Sequence, residues 1–264
     1  MPVTPLFKRK HRTMFQLQPK TALVTGGNGG IGLAMAQGLV DAGARVAVVG
    51  RNPDKLRAAV ETLTRRGGQA QAYQADVADE AAVAALFDRV AADFGRLDIL
   101  VNNAGTNIRK PVQDLTLAEW NTVLDTNLTS AFLCSRAAYP LLQKQGGKVI
   151  NIGSMTSIFG ASFAPAYSAS KGGIVQLTRA LATGWAADGI QVNAILPGWI
   201  DTELTQNARA QVAGLDERIV ARTPAGRWGR PEDLAGTAVF LASAASDFVT
   251  GTAIPVDGGY SVQA

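Results

Sequence analysis

A strand-like run, a glycine-rich turn and a helix-like run follow one another near the start of the chain, and this order strongly restricts the possible folds. Residues Thr21–Thr25 are apolar or β-branched, residues 26–32 read GGNGGIG, and residues 33–40 have the apolar spacing of a helix. Glycines allow a tight turn, a close approach of the backbone to a pyrophosphate, and close packing of helix on strand. Amide groups at the start of the helix can bind the anion. The segment therefore predicts a dinucleotide-binding βα unit.

The alternation of strand and helix patterns continues to the end of the chain. It predicts an α/β protein with a single-domain, Rossmann-type, doubly wound parallel sheet over residues 18–264, with about seven strands and helices on both faces. The later predicted strands cover residues 44–49 and 70–74, begin near Asp98, Lys148 and Ile190, and end with 252–256. The later predicted helices cover residues 54–66 and 79–94, the regions of Asn127 and Tyr167, and a segment beginning at Pro231.

Composition excludes several classes of protein. Apolar residues make up 47% and charged residues 17% of the 264 residues, which suits a protein with a large core. No run approaches the roughly 18 apolar residues of a membrane span, and the N-terminus lacks the apolar core of a signal peptide. We therefore expect a cytoplasmic protein with no membrane partner. The single cysteine, Cys134, cannot form an internal disulfide and is expected to be an inert helix-core residue.

Residues 1–17 form a basic extension that contains Lys8, Arg9, Lys10 and Arg12 and no acidic residue. A flexible solvated extension, a nucleic-acid-binding arm and a targeting segment are all compatible with this pattern. The formal net charge is only +4 and no basic stripe recurs later in the chain. A flexible extension is therefore the preferred interpretation, and no nucleic-acid partner is expected.

A tyrosine and a lysine stand four residues apart, at Tyr167 and Lys171. On a helix this spacing places both side chains on one face, and a fixed cation beside a phenol lowers the phenol pKa from its ordinary value near ~10. Ser154 ends an apolar run and is expected at the carboxyl end of a buried strand, where its hydroxyl can hold the oxygen that the tyrosine protonates. Such tyrosine–lysine spacings are more often surface pairs, so this hypothesis depends on the rest of the chain.

The predicted topology brings the motifs together. Right-handed crossovers in a parallel sheet place the carboxyl ends of all strands at one edge. Gly26, Asn103, Ser154 and Pro197 each follow a predicted strand, so we expect them to converge on one site.

Several of these segments together resemble the short-chain dehydrogenase/reductase family over roughly residues 18–262. The glycine turn after Thr25, the NNAG sequence at residues 102–105, Asn127, the set of Ser154 with Tyr167 and Lys171, and the proline–glycine pair at 197–198 match its motifs in order. The resemblance implies an enzyme that interconverts a secondary alcohol and a ketone with a nicotinamide cofactor. It also implies a homotetramer.

The resemblance also implies a role for each motif residue. Tyr167 would be the general acid and base, Ser154 would hold the substrate oxygen, Lys171 would hold the nicotinamide ribose, and Asn127 would keep a water that links the lysine to solvent. No metal site is expected. The implied cofactor-binding residues are Gly26, Asn28, Gly30, Ile31, Gly32, Arg51, Asn52, Asp76, Val77, Asn103, Ala104, Gly105, Tyr167, Lys171, Pro197, Gly198, Ile200 and Thr202.

The residues after the second predicted strand indicate NADP(H) rather than NAD(H), although NAD(H) use remains possible. An acidic residue at this place would accept the ribose hydroxyls of NAD, but the sequence has Gly50 followed by Arg51. The Arg51 guanidinium can bind the 2′-phosphate of NADP through charge-assisted hydrogen bonds. Arg51 is also compatible with a solvated turn residue, and Asp76, the implied adenine contact, with a capping or turn residue.

The substrate is the part of the activity on which the sequence is least informative. Residues 106–111 resemble a segment of the sugar-acid branch of the family, which includes gluconate 5-dehydrogenases and ketogluconate reductases, and Arg109 can bind a carboxylate through two hydrogen bonds. Arg109 is equally compatible with a solvent-facing loop or a subunit contact. A covering loop is expected over residues 199–229. The candidate substrate residues are Ser154, Asn107, Arg109, Phe159, Tyr167 and Trp199.

Two further functions are compatible with the sequence. An apolar wall that includes Phe159 and Trp199 would suit a 3-oxoacyl-carrier-protein reductase or a broad ketone reductase. A non-catalytic NADP-binding regulator on the same fold is the alternative from another class, but regulators of this kind commonly lose the tyrosine or the lysine.

Overall fold

A seven-stranded, fully parallel sheet forms the centre of the computed structural model, which describes residues 14–65, 67–212 and 214–263. The strands are β1 Thr21–Thr25, β2 Arg45–Gly50, β3 Gln69–Gln74, β4 Ile99–Asn102, β5 Gly147–Ile152, β6 Ile190–Pro197 and β7 Ala253–Val256. Their order is β3-β2-β1-β4-β5-β6-β7, and every neighbouring pair is parallel. The predicted fold class is confirmed.

Helices cover both faces of the sheet. The helices Gly30–Asp41, Pro53–Thr64 and Ala235–Ala242 pack on one face around Met35, Leu56 and Leu241, and the helices Glu80–Phe94, Ser130–Leu142 and Pro165–Trp185 pack on the other around Phe87 and Leu133. Because both faces are covered, the strands at the centre of the sheet are mainly apolar, and every residue of β1 is buried, whereas the edge strand β3 is largely exposed. The helices are α1 Gly30–Asp41, α2 Pro53–Thr64, α3 Glu80–Phe94, α4 Leu117–Leu124, α5 Ser130–Leu142, α6 Pro165–Trp185, α7 Glu203–Gln211, α8 Leu215–Arg222 and α9 Ala235–Ala242.

Some element boundaries differ from the predicted ones. Helix α2 ends at Thr64 rather than at residue 66. The segment at Pro231–Leu234 is a 3₁₀ turn, and α9 begins only at Ala235. The Asp233 carboxylate accepts the Arg230 N–H at 2.7 Å, which favours a tight first turn.

The segment after β6 was expected to be a loop, and this prediction is wrong because the segment contains α7 and α8. The Thr205 hydroxyl accepts the Thr202 N–H at 2.9 Å and so caps the start of α7. Leu215 and Ile219 are buried on one side of α8. Two short amphipathic helices therefore lie where a mobile loop was expected.

The folded domain includes one residue that the sequence assigned to the basic extension. Leu17 is fully buried in the core, and its N–H donates to the Ala42 carbonyl at 2.8 Å. Residues 1–13 lie outside the described part of the chain, so the flexibility of the extension stays a prediction. Across the three described ranges, no helix combines the length and apolar character that crossing a membrane requires.

A small hydrogen-bond network ties the glycine turn to β4. The Asn103 and Ala104 N–H groups both donate to the Thr25 hydroxyl at 3.0 Å. In return, the Asn103 side-chain amide donates to the carbonyls of Thr25 at 3.0 Å and Gly26 at 3.1 Å. Gly26 has a φ of +61°, a conformation that glycine adopts without steric cost. The turn is therefore held against the neighbouring strand from both sides.

Gly32 must be glycine for this network to form, so we expect Gly32→Ala to lower the free energy of unfolding by about 1–3 kcal/mol, as overpacking does. A Cβ at position 32 would lie 2.2 Å from the Gly26 carbonyl oxygen and 2.4 Å from the Asn103 amide nitrogen. Urea unfolding followed by circular dichroism measures the change.

The matched control is Gly184→Ala, at an exposed position of α6 where an added Cβ meets nothing within 4 Å. Alanine is the better helix former, so this change should raise stability by about 0.5–1 kcal/mol. Equal effects of the two substitutions would contradict the packing argument.

Candidate active site

A cleft of about 570 Å³ opens at the carboxyl edge of the sheet. It lies beside β1 and β4, where the strand order reverses, which is the place where open α/β sheets bind ligands. Of the predicted cofactor residues, those that line it are Gly26, Asn28, Gly30, Ile31, Gly32, Arg51, Asn103, Ala104, Gly105, Tyr167, Lys171, Pro197, Gly198, Ile200 and Thr202. The predicted convergence of distant motifs on one edge is therefore observed.

Tyr167 and Lys171 lie on one face of α6 and both line the cleft. The Lys171 Nζ is 5.6 Å from the centre of the Tyr167 ring. Lys171 is only 4% exposed, and its ammonium donates to the Ile152 carbonyl at 2.7 Å. The lysine is thus held by the last residue of β5, in a fixed position beside the phenol.

Ser154 lies two residues after the end of β5, and a second serine fixes its position. The Ser157 hydroxyl accepts the Ser154 N–H at 3.1 Å and donates to the Lys171 carbonyl at 2.7 Å. The Ser154 Oγ also accepts the Thr156 N–H at 3.2 Å. Ser157 is a rival of Ser154 by residue type, but its hydrogen bonds connect the end of β5 to α6. Ser157 therefore fixes the position of Ser154 relative to Lys171.

Asn127 lies in a single π-helical turn, Asp125–Thr129, that joins α4 to α5. Its side-chain oxygen accepts the Thr106 N–H at 2.7 Å, and its amide donates to the Thr106 carbonyl at 2.9 Å and the Ser170 hydroxyl at 3.0 Å. π-Helical turns are rare and frequently occur at functional sites. The turn at Asn127 places its buried side chain in contact with both the loop after β4 and helix α6.

Burial changes the proton affinity of both groups of the tyrosine–lysine pair. It lowers the pKa of Lys171 to about 8. Burial also raises the pKa of Tyr167. The hydrogen bond with the Ser154 hydroxyl and the charge of Arg109 both lower this pKa, but their effect is smaller than that of burial. The prediction that Lys171 brings the tyrosine pKa below its ordinary value is wrong for this structure. The physical reason is that burial dominates, while the ammonium donates to the Ile152 carbonyl.

Three predicted cofactor residues do not line the cleft. The Asn52 side chain caps α2 by accepting the Lys55 N–H at 2.9 Å. Val77 is buried in the core beside α3. Asp76 accepts the Ala78 N–H at 3.0 Å and lies 3.7 Å from the guanidinium of Arg51. Asp76 therefore stabilises a turn, while Asp79 caps α3, and the adenine contact stays a prediction.

The substrate candidates divide into two groups. Ser154 and Tyr167 line the cleft, whereas Asn107, Arg109, Phe159 and Trp199 do not. Arg109 nevertheless lies close enough to Tyr167 for its charge to lower the phenol pKa. Phe159 packs edge-on against Tyr260 with ring centres 6.5 Å apart, and Trp199 packs against Trp228 at 5.6 Å.

Sequence reasoning missed some residues of the cleft. Gly29 and Gly153 sit inside motifs that were recognised, and Ile152 ends a recognised strand, so their positions alone could have indicated them. Lys55, Glu203 and Thr205 gave no signal, because their approach to the cleft depends on how α2 and α7 pack in three dimensions. The missed residues are Gly29, Lys55, Ile152, Gly153, Glu203 and Thr205.

The arrangement can transfer a proton to or from an oxygen held at the cleft. It combines a phenol, a hydroxyl that interacts with the phenol, and a buried amine. The hydroxyl and the amine are held by hydrogen bonds with neighbouring backbone groups. Within the described ranges, no cluster of histidine, cysteine or acidic side chains could hold a metal ion.

Comparison with known proteins gives consistent matches over nearly the whole chain. A family model described as enoyl-(acyl carrier protein) reductase matches residues 26–261. A 2-dehydro-3-deoxy-D-gluconate 5-dehydrogenase from Dickeya dadantii is 44% identical over 93% of this chain and 97% of its own length. A gluconate 5-dehydrogenase from Gluconobacter oxydans is 40% identical over 96% of this chain and 98% of its own.

A solved structure matches this chain in fold over nearly the same length. The crystal structure of a gluconate 5-dehydrogenase from Burkholderia cenocepacia, in complex with NADP and tartrate, matches with a TM-score of 0.91 at 39% identity. The match covers 95% of this chain and 98% of that one.

The low pKa of Lys171 predicts a pH-dependent stability. Because the folded chain binds this proton less tightly than the unfolded chain, whose lysine titrates near ~10.4, stability should rise with pH between about 8 and 10.4. Between pH 7 and pH 9.5 the contribution amounts to about 2 kcal/mol. Lys171→Met should remove this part of the increase in urea unfolding.

The same substitution at the exposed Lys144 is the control, and it should keep the slope of the parent. An identical pH dependence in the parent and in Lys171→Met would show that the buried amine keeps its ordinary pKa.

Proposed function

Because the chain belongs to the short-chain dehydrogenase/reductase family, we propose that it is an NADP(H)-dependent oxidoreductase that interconverts the secondary alcohol and the ketone of a sugar acid or related polyol. The observation that carries the proposal is the set of Tyr167, Lys171 and Ser154 at the cleft, in which Lys171 is held by the end of β5, Ser154 is held by Ser157, and the Tyr167 phenol interacts with the Ser154 hydroxyl. Relatives named as sugar-acid dehydrogenases support the choice of substrate class.

The cleft fits a dinucleotide that carries an extra phosphate. The glycine turn leaves backbone N–H groups at the start of α1 open to the cleft, and a Cβ at Gly29 would meet no protein atom within 4 Å. The Arg51 side chain is 72% exposed at the rim, and its partner Asp76 is 49% exposed, so their ion pair is weak and readily exchanged. Structural relatives with bound NADP support the same cofactor.

In the mechanism that we propose, this chain holds the reacting oxygen and moves its proton. The cofactor, when bound, supplies or accepts the hydride. Tyr167 donates its phenolic proton to the carbonyl oxygen during reduction, and the Ser154 hydroxyl donates a hydrogen bond to the same oxygen. As the phenol loses its proton, the neighbouring Arg109 charge and the Ser154 hydroxyl stabilise the phenolate that forms.

Proton resupply would pass between Lys171 and Asn127. A methyl group at Gly105 would lie 3.4 Å from the Asn127 side-chain oxygen and 3.7 Å from the Lys171 Nζ. The missing side chain at Gly105 leaves room for a water between these two groups. With its pKa near 8, Lys171 can give up and regain a proton close to neutral pH.

Arg109 is the candidate carboxylate-binding residue. It is half-buried, burial lowers the pKa of its guanidinium, and it is electrostatically coupled to Tyr167. A carboxylate bound there would place the far end of a sugar acid within reach of the phenol. Asn107, two residues earlier, has a buried side-chain oxygen without a hydrogen-bond partner among the residues that the structure describes, which suits a substrate hydroxyl.

A second candidate, a 3-oxoacyl-carrier-protein reductase, is favoured by one observation. Ile158 and Phe163, between Ser154 and Tyr167, are both exposed, and they offer an apolar edge to an acyl chain. Acetoacetyl thioesters distinguish the two functions, since a sugar-acid enzyme should reduce 5-ketogluconate far faster than the thioester.

For the assembled protein we propose a homotetramer in the cytoplasm. Several large apolar side chains lie exposed on the surface of one protomer, which supports burial against other copies. These side chains are Val112, Leu117, Phe132 and Phe248.

Tyr167→Phe tests the catalytic assignment. Removing the phenolic proton should lower kcat by about 10²–10⁴-fold, while the Kd for NADPH stays within about twofold. Tyr139→Phe is the matched control, because Tyr139 does not line the cleft and its hydroxyl donates to the Asp188 carboxylate at 2.9 Å. If Tyr167→Phe turns over like the control, the proton donor is another group.

Arg109→Gln tests the substrate class. With 5-ketogluconate, KM should rise about 10- to 100-fold through the loss of a charge-assisted contact, whereas a neutral ketone should keep its KM. A panel of sugar acids, polyols, ketones and acyl thioesters, assayed by the absorbance of the reduced cofactor, gives both values. An equal rise for the neutral ketone would indicate a structural role, and a parent inactive on every sugar acid would contradict the proposed function.

A further inference from the structure

An ion pair spans the rim of the cleft between two elements that are far apart in sequence. The Lys55 Nζ on α2 lies 2.8 Å from a carboxylate oxygen of Glu203 on α7, and both residues line the cleft. The side chains are 54% and 80% exposed. Such an exposed pair is held weakly and can exchange partners at little cost.

The position of Lys55 on its helix is unusual for a cation. It is the third residue of α2, at the end of the helix where the macrodipole favours negative charge. The Asn52 cap fixes the Lys55 backbone N–H, and the side chain extends towards the cleft. Lys55 follows Arg51 by four residues, so two cations border the same end of the cleft.

Both cations have a weakly held acidic partner. Arg51 lies 3.7 Å from Asp76, and Lys55 is bound to Glu203. Glu203 is the first residue of α7, where a carboxylate is favoured, and it directly follows the capping residue Thr202. Each cation is therefore charge-compensated, yet neither is enclosed.

We propose that Lys55 is a second ligand of the 2′-phosphate of NADP, and that Glu203 competes with this phosphate for Lys55. The inference rests on the proposed NADP(H) preference. A phosphate monoester carries about −1.5 to −2 charges at neutral pH, whereas the Glu203 carboxylate carries a single charge, so the phosphate is the stronger partner. With NAD(H), which lacks this group, the Lys55–Glu203 pair stays intact.

Competition between Glu203 and the 2′-phosphate for Lys55 predicts opposite effects on ligand binding when Lys55 or Glu203 is replaced. Without Lys55 the phosphate loses one charge-assisted contact, so binding of a 2′-phosphorylated ligand should weaken. Without the Glu203 charge, Lys55 is available at no cost, and binding of the same ligand should strengthen. A ligand that lacks the 2′-phosphate should respond to neither change.

Adenosine 2′,5′-bisphosphate and adenosine 5′-monophosphate differ only in the 2′-phosphate, and calorimetry measures the affinity of each directly. For Lys55→Gln we expect the bisphosphate to bind about tenfold more weakly and the monophosphate to be unchanged. For Glu203→Gln we expect the bisphosphate to bind about two- to fivefold more tightly. Lys55→Arg keeps the charge and should retain the preference.

The matched control is Arg57→Gln, which removes a cation from the same helix. Arg57 pairs with Asp54 at 2.9 Å and does not line the cleft, so both affinities should stay as in the parent. Thermal unfolding of each variant verifies that the fold is kept.

The outcomes distinguish the proposed NADP(H) preference from the proposed role of Lys55. If the parent binds the two nucleotides equally, the NADP(H) preference is wrong and this inference falls with it. If the parent prefers the bisphosphate but Lys55→Gln keeps the preference, only the role of Lys55 is wrong. Equal weakening of both nucleotides would place Lys55 at the 5′-phosphate, and weaker bisphosphate binding by Glu203→Gln would refute the competition.

Discussion

The reciprocal hydrogen bonding between Thr25 and Asn103 is the interaction on which the site depends. One hydroxyl accepts two backbone N–H groups from the loop after β4, and one side-chain amide donates to two carbonyls of the glycine turn. These bonds hold the ends of β1 and β4 together where the strand order reverses. The cleft opens at this point because the helices after the two strands lie on opposite faces of the sheet.

The catalytic candidates are fixed by a similar use of backbone groups. The Lys171 amine donates to the Ile152 carbonyl, and Ser157 joins the Ser154 N–H to the Lys171 carbonyl. Contacts of this kind hold a buried amine in place without a carboxylate that would neutralise it. The covering helices α7 and α8 are not needed for this geometry, so substrate preference can vary while the proton-transfer groups stay in place.

The fold and the centre of the site could be predicted because their signals are local. The glycine turn, the buried strands and the four-residue spacing of Tyr167 and Lys171 each follow from the period or the steric demands of a short segment. Other features depend on contacts distant in sequence. The Lys55–Glu203 pair joins residues 148 positions apart, and the raised pKa of Tyr167 results from burial by several elements. The segment after β6 contains few apolar residues, so the sequence predicts a loop where the structure has α7 and α8.

Transfer of deuterium from labelled cofactor tests the central claim most directly. The parent protein would be incubated with NADPH that carries deuterium at the transferable position of C4 and with 5-ketogluconate, and the product analysed by NMR and mass spectrometry. The account predicts one deuterium on the carbon that was the ketone, and none there when unlabelled NADPH is used in D₂O. Product without the label, or no transfer to any keto sugar acid, would contradict it.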